Sequence, residues 1–260
     1  MHNIRMIRMD NPARPTSPRL WEIDALRGLA VVAMIFFHFM WDLWFLGLTS
    51  ENIPGAGWQS FARGIGATFT FLLGVSLTLS VVQLRARGRD PWRSTLRRGL
   101  TILGCGMVIS IGTYFFVGDE YVRFGILHHA GVALLLGYWF VNMPIGVTLV
   151  LGAVLIVAGP YVSNVFVDHA WLLPFGIFPH GMGMVDYYPL VPWFGVALLG
   201  IAAGRVVYAG GVRRFALPDL SMSKPIAWLR LLGRNSLVVY LVHQPLLIGV
   251  LMGGRAIGLW

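Results

Sequence analysis

The chain has 260 residues, of which 57% are hydrophobic and only 12% charged, with a mean hydropathy of +0.70. A soluble domain carries about twice that share of charge, so a soluble enzyme, a nucleic-acid-binding domain and a disordered chain are excluded. The net charge of +9 is almost entirely arginine, Lys224 being the lone lysine. What remains is an all-α fold, a polytopic transmembrane helical bundle.

Residues 1–24 hold Arg5, Arg8, Arg14 and Arg19 and three prolines, and read as a polar N-terminal arm. Residues 25–260 read as a single transmembrane domain. Its first apolar run, Ala25–Leu48, is too long for a cleaved signal peptide and is expected to be retained. Six further runs follow: Phe61–Leu84, Gly99–Val117, Phe124–Val141, Ile145–Ser163, Pro189–Tyr208 and Leu231–Gly253. Each is near the roughly 20 residues that cross about 30 Å of hydrocarbon as a helix. About seven spans result. No internal repeat is evident, so an inverted-repeat transporter gains no support.

The arginines assign the sides. The arm, the loop Arg85–Arg98 and the region Arg205–Arg234 together hold 16 basic residues, against Arg63, Arg123 and Arg255 on the other side, with Arg27 inside the first span. Seven spans put all three basic segments on one side, which the positive-inside rule makes cytoplasmic. The N-terminus is then cytoplasmic and the C-terminus external. The basic loops would also meet anionic headgroups, making membrane lipids the expected partner in place of nucleic acid. The lone cysteine, Cys105, lies between two glycines and reads as a packing residue. The outer segment Asn164–Tyr188 has no Lys or Arg but holds Asp168, His169, His180 and Asp186. It is either a lid or binding surface, or an interfacial loop with Trp171, Tyr187 and Tyr188 at headgroup level.

The first span carries the chemistry. In "WEIDALRGLAVVAMIFFHFMWDLWFLG", Arg27 and His38 are eleven positions apart, which leaves them about 20° from the same helix face and about 16 Å apart along the axis. Asp42 follows His38 by four residues on that face, and Asp24 precedes Arg27 by three. Ionisable side chains cost at least about 2.5 kcal/mol each in hydrocarbon, so such a stripe should face protein or a wet cavity. A carboxylate near a histidine fixes its tautomer and raises its basicity, as a general base requires. The alternative is that Arg27 snorkels to the surface and His38 is a hydrogen-bonded core histidine.

Other polar positions have two readings each. Arg123, His128 and His129 open the fourth span, either as acceptor-side groups or as interfacial anchors. Asp186 binds an acceptor or caps the helix after Pro189. In the last span His243 and Gln244 form a polar patch facing the first span, or simply hold the bundle together. Arg234 and Asn235 stand at its cytoplasmic start, where they could meet phosphates with Arg27 and the Arg85–Arg98 loop. That loop alone is a topology signal. Gly200 and Gly204 give a small-residue face for close helix packing. No spacing matches a metal motif, and no metal is expected.

The stretch "RLWEIDALRGLAVVAMIFFHFMWDL" resembles the start of the bacterial DUF1624 family. That family is related to the catalytic domain of heparan-alpha-glucosaminide N-acetyltransferase. The Arg27–His38 spacing is also similar to the first-span motif of the membrane acyltransferase-3 family. "RFGILHHAGVALLL" from Arg123, "DYYPLVPWFGVALLGIAAGR" from Asp186 and "LLGRNSLVVYLVHQPLL" from Leu231 continue the resemblance over about residues 19–250.

The resemblance implies an acyltransferase of the bacterial inner membrane. It implies cytoplasmic acetyl-CoA as co-substrate and an amino or hydroxyl group of a sugar or glycolipid acceptor on the far side. His38 would be the base and Asp42 its partner. Arg27, Asp24, Arg234 and Asn235 would hold the acyl-CoA. Arg123, His128, His129, Asp186, His243 and Gln244 would hold the acceptor. The chain is shorter than the lysosomal enzyme and lacks its extra luminal region, so an envelope sugar or lipid is the more natural acceptor. A homo-oligomer is compatible with all of this. The alternatives are a transporter, or a non-catalytic membrane partner, using the same polar stripe.

Overall fold

The computed structural model describes residues 20–259. The expected arm therefore lies outside the described residues up to position 19. Eight α-helices follow in order: α1 Trp21–Phe45, α2 Ala56–Ala86, α3 Pro91–Val117, α4 Ile126–Phe140, α5 Ile145–Val162, α6 Leu190–Val207, α7 Lys224–Arg234 and α8 Ser236–Ala256. Three short 3₁₀ helices join them, and the described residues form no strand, only an isolated bridge between Phe166 and Phe178.

Six helices are long and apolar enough to cross a membrane. The seventh, α4, has 15 residues and rises only about 22 Å, short of the roughly 30 Å of hydrocarbon. The loop before α6 packs on the start of α4, where the Asp186 carboxylate accepts from the Ile126 amide at 3.0 Å. About seven spans thus stand.

Two expected boundaries move. Helix α3 begins at Pro91 rather than Gly99, because Asp90 caps it, accepting from Trp92 N at 2.9 Å, and Pro91 occupies its first turn. Arg93, Arg97 and Arg98 are therefore helical, not loop. The expected last span Leu231–Gly253 is two helices. Its N-terminal part belongs to α7, which crosses α1 so closely that a Cβ on Gly233 would lie 1.8 Å from the Asp24 carbonyl oxygen. The break falls at Asn235, whose side chain donates to Leu231 O at 2.9 Å.

The core lies where α2, α4 and α6 meet, around Leu77, Leu134, Leu198 and Ile201. Gly200 and Gly204 do face α2, as expected: a Cβ on Gly200 would lie 2.1 Å from Phe71 O. Helix α5 packs mainly on α6 and leaves Val147, Val150, Val154 and Val157 exposed, the surface a lipid-facing helix presents. The helix ends sort the charges. Arg85–Arg98, Arg205, Arg213, Arg214 and Lys224–Arg234 share the end where α1 begins. Arg63, Arg123 and Arg255 lie toward the other. At the arginine end Glu22 holds Arg213 in a two-pronged ion pair, at 2.7 and 2.8 Å.

Candidate functional site

A cavity of about 720 Å³ lies between α1, α2, α3, α4 and the α7–α8 junction, within the range of ligand pockets, about 300–1,000 Å³. Its two ends differ chemically. At the arginine end it is lined by Arg27, Arg97, Arg98 and Arg234, with Asp24 as the only carboxylate among the described lining residues. Asp24 lies against both Arg27, at 3.4 Å, and Arg234, at 3.0 Å. Arg27 also donates to Ser76 Oγ at 2.6 Å. Arg97 and Arg98 make no ion pair among the described residues, and the described lining of this end holds four arginines to one carboxylate. Further in, the walls carry Thr101 and Thr70 among apolar side chains.

Tyr240 lines the deep end. Its hydroxyl is 3.4 Å from Asp186 Oδ2, and its ring centroid is 5.6 Å from that of His243. Asp186 belongs to the loop preceding α6. Burial pushes its carboxyl up to about 6, against the hydrogen bonds from Ile126 and Tyr240 that pull it down. Burial likewise raises the neighbouring Tyr188 phenol. Gly125 is required here, because a Cβ on it would sit 2.1 Å from the Asp186 oxygen.

Beyond Tyr240, α1 and α8 face each other through a line of polar side chains. Gln244 Nε2 donates to Asp42 Oδ1 at 2.7 Å, and Gln244 Oε1 is 2.8 Å from His38 Nδ1. Since the Gln244 amide nitrogen serves Asp42, its oxygen must accept, and His38 Nδ1 carries the proton. His38 and His243 meet edge to face with ring centroids 4.9 Å apart. His243 Nδ1 lies 2.7 Å from Tyr240 O and 3.2 Å from Val239 O. Carbonyls only accept, so this Nδ1 also carries the proton. Both histidines thus keep Nε2 as a basic lone pair.

The stripe in α1 therefore faces protein rather than lipid. Arg27 looks into the cavity and His38 onto α8, while Leu26, Leu29, Val32 and Phe36 hold the exposed side. Asp42 and His38 share a face as expected, but Gln244 stands between them. Which residue of α8 meets them depends on helix register and cannot be read from α1 alone.

The residues assigned to the acceptor are not gathered at one place. Arg123 is outside the cavity, its guanidinium 4.1 Å over the Tyr121 ring. His128 has both ring nitrogens engaged: Nδ1 accepts from Gly125 N at 3.3 Å, and Nε2 is 3.3 Å from Ser110 Oγ. It caps α4. His129 is fully buried with neither ring nitrogen paired among the described residues. Asp186, His243 and Gln244 do come together around Tyr240 and His38. Asn235 caps α7 and does not line the cavity. In the external loop Asp168 and His180 pair at 2.9 Å on the surface, and the hydrogen bonds from His180 lower the Asp168 carboxyl.

Sequence reasoning missed the polar wall of α2. Ser76, Ser80 and Gln83 recur at spacings of four and three, one helix face. Ser94, Arg97, Arg98 and Thr101 do the same on α3. That periodicity was the available signal.

A polytopic helical membrane protein with a basic-mouthed interior cavity and an imidazole pair between two of its helices is the class that fold and site define. The family model for heparan-alpha-glucosaminide N-acetyltransferase, catalytic, matches residues 19–245, and the chain belongs to that family. The family points to a membrane N-acetyltransferase activity. The chain finds no match among curated proteins or solved structures.

Proposed function

We propose that the protein transfers an acetyl group from acetyl-CoA to an amino or hydroxyl group of a sugar-containing acceptor on the opposite side of a bacterial inner membrane. The observation that carries the reading is the polarity of the cavity. Its arginine end suits the phosphates of a CoA nucleotide, and at its deep end the lining residue Tyr240 packs on His243, which in turn meets His38, both histidines lying just behind the cavity wall. The positive-inside rule supports a cytoplasmic arginine end. Acetyl-CoA would then enter from the cytoplasm with its thioester toward Tyr240, and the acceptor would approach from the far side.

His38 Nε2 takes the proton of the attacking amine or hydroxyl. Asp42, acting through Gln244, keeps His38 in the tautomer that leaves Nε2 free and offsets the charge on the imidazolium. Direct transfer needs no acyl-enzyme.

The test is CoA release by the reconstituted protein offered acetyl-CoA and a panel of amino sugars and envelope glycolipids. His38→Ala is expected to lower turnover by about a thousandfold. Turnover unchanged in that variant rejects His38 as the base. Acceptor transport without acetylated product rejects the enzyme reading.

A further inference from the structure

We infer that His243 is a second proton-carrying residue of the reaction, returning to the departing sulfur the proton that His38 takes from the acceptor. The inference rests on the reading above, in which the cavity holds the thioester and His38 is the base.

Three observations carry it. First, the carbonyls of Tyr240 and Val239 hold the Nδ1 proton of His243, so its basic atom is Nε2. Second, that Nε2 is buried and has no hydrogen-bond partner among the described residues, a costly state for a polar atom unless it serves a ligand or a transferring proton. Third, the ring of His243 lies between the two halves of the site, 5.6 Å from the ring of the cavity residue Tyr240 and 4.9 Å from His38. Helix α8 sets this order, since Tyr240, His243 and Gln244 fall within little more than one turn. Pure packing would place an apolar side chain at such a buried position.

The chemistry balances without an outside acid or base. The acceptor nitrogen or oxygen attacks the thioester carbon, and its proton goes to His38 Nε2. The carbon–sulfur bond breaks with its electron pair on sulfur. A bare thiolate inside the bundle would be an uncompensated charge in a medium that penalises it. The His38 imidazolium gives up its Nε2 proton through a bridging water, because the two rings share no hydrogen bond among the described residues, and His243 Nε2 takes it up and delivers it to sulfur. Acceptor and thioester become amide or ester plus free thiol, and both imidazoles return to their starting tautomers.

The experiment varies the leaving group. The reconstituted full chain is given acetyl-CoA and a series of acetyl aryl thioesters whose thiols are progressively more acidic, so that the last leaves without needing a proton. Wild type is expected to show turnover that depends only weakly on thiol acidity. His243→Gln and His243→Asn are expected to lose about thirtyfold or more with acetyl-CoA and to recover to within about threefold of wild type with the most acidic thiol. His38→Ala is expected to lose activity with every donor. Equal losses of the His243 variants across the series overturn the inference and leave the His38 reading intact. Full activity of His38→Ala overturns the reading itself. If neither His243 variant folds, the wild-type series decides: a dependence as steep as that of the uncatalysed reaction overturns the inference.

Discussion

Between α2 and α6 the backbones touch. A Cβ on Gly200 would lie 2.1 Å from Phe71 O, and one on Gly74 would lie 2.1 Å from Ala197 O. The polar contribution across that seam is a hydroxyl, Thr78 donating to Ile201 O at 3.3 Å. Between α1 and α8 the contact is made by side chains instead: His38, Gln244, Asp42 and His243. Glycine contact has almost no freedom, because backbone meets backbone. A chain of side-chain hydrogen bonds has freedom at every rotamer, and keeps its geometry only if the helices carrying it are fixed. The two seams divide the labour. The first makes the bundle rigid, and the second uses that rigidity to hold an imidazole, an amide and a carboxylate in line.

That division can be broken from either side. The largest effect is expected at the glycine seam. Gly200→Leu forces the helices apart and should cost more than about 3 kcal/mol, read as loss of folded protein in detergent by size-exclusion yield and thermal melting. A variant that folds and melts normally would show that α2 and α6 can separate cheaply.

Gln244→Leu attacks the other seam. It removes the link between Asp42 and His38 and leaves the buried Asp42 carboxyl without a partner among the described residues. It should therefore lower the melting temperature by about a few degrees and turnover by about a hundredfold, more than the lost stability accounts for. Gln244→Glu is expected to retain part of the activity, since a carboxylate can accept from His38 Nδ1. Folded variant protein with turnover within about threefold of wild type would reduce Gln244 to a structural partner of Asp42.

At the cavity mouth, Arg98→Ala should raise KM for acetyl-CoA about tenfold while leaving kcat within a factor of about two, as expected when one charge-assisted contact to a phosphate is lost. A fall in kcat with unchanged KM would remove Arg98 from donor binding.

The smallest effect is a pH dependence. The carboxyl of Asp186 is raised to about 6 by burial, so its contribution to stability is complete below the ordinary carboxylate range and lost as pH rises through about 6. Wild-type melting temperature should therefore fall between pH 5 and pH 7.5 by about a few degrees. Asp186→Asn still accepts from Ile126 N but has no charge to bury, and should remove most of that fall. An unchanged pH profile in the variant would assign the dependence to another group.

Much of this was legible along the chain because hydropathy and charge are local. Seven apolar runs, the arginines at one end and the Arg27–His38 face follow from composition and helical period alone. The start of α3 was also local, in the Asp90–Pro91 pair, but the arginines beyond it looked like a solvated loop. The division of the last run into α7 and α8 was not local, since it depends on Gly233 meeting the backbone of α1. Nor was the role of His128, read as an acceptor-side group or an interfacial anchor, while its ring nitrogens meet Gly125 N and Ser110 Oγ. The insertion of Gln244 between His38 and Asp42 required the register of two helices more than two hundred residues apart in sequence.

The central claim is that one passage through the bundle connects a thioester donor at the arginine end to an acceptor at the other. Proteoliposomes holding an amino-sugar or glycolipid acceptor on one face only, given labelled acetyl-CoA on the opposite face, test it directly. The account predicts acetylated acceptor when acetyl-CoA is supplied to the arginine end and the acceptor lies across the membrane, and none with His38→Ala. Product formed only when donor and acceptor share a face, or formed equally by His38→Ala, would contradict it.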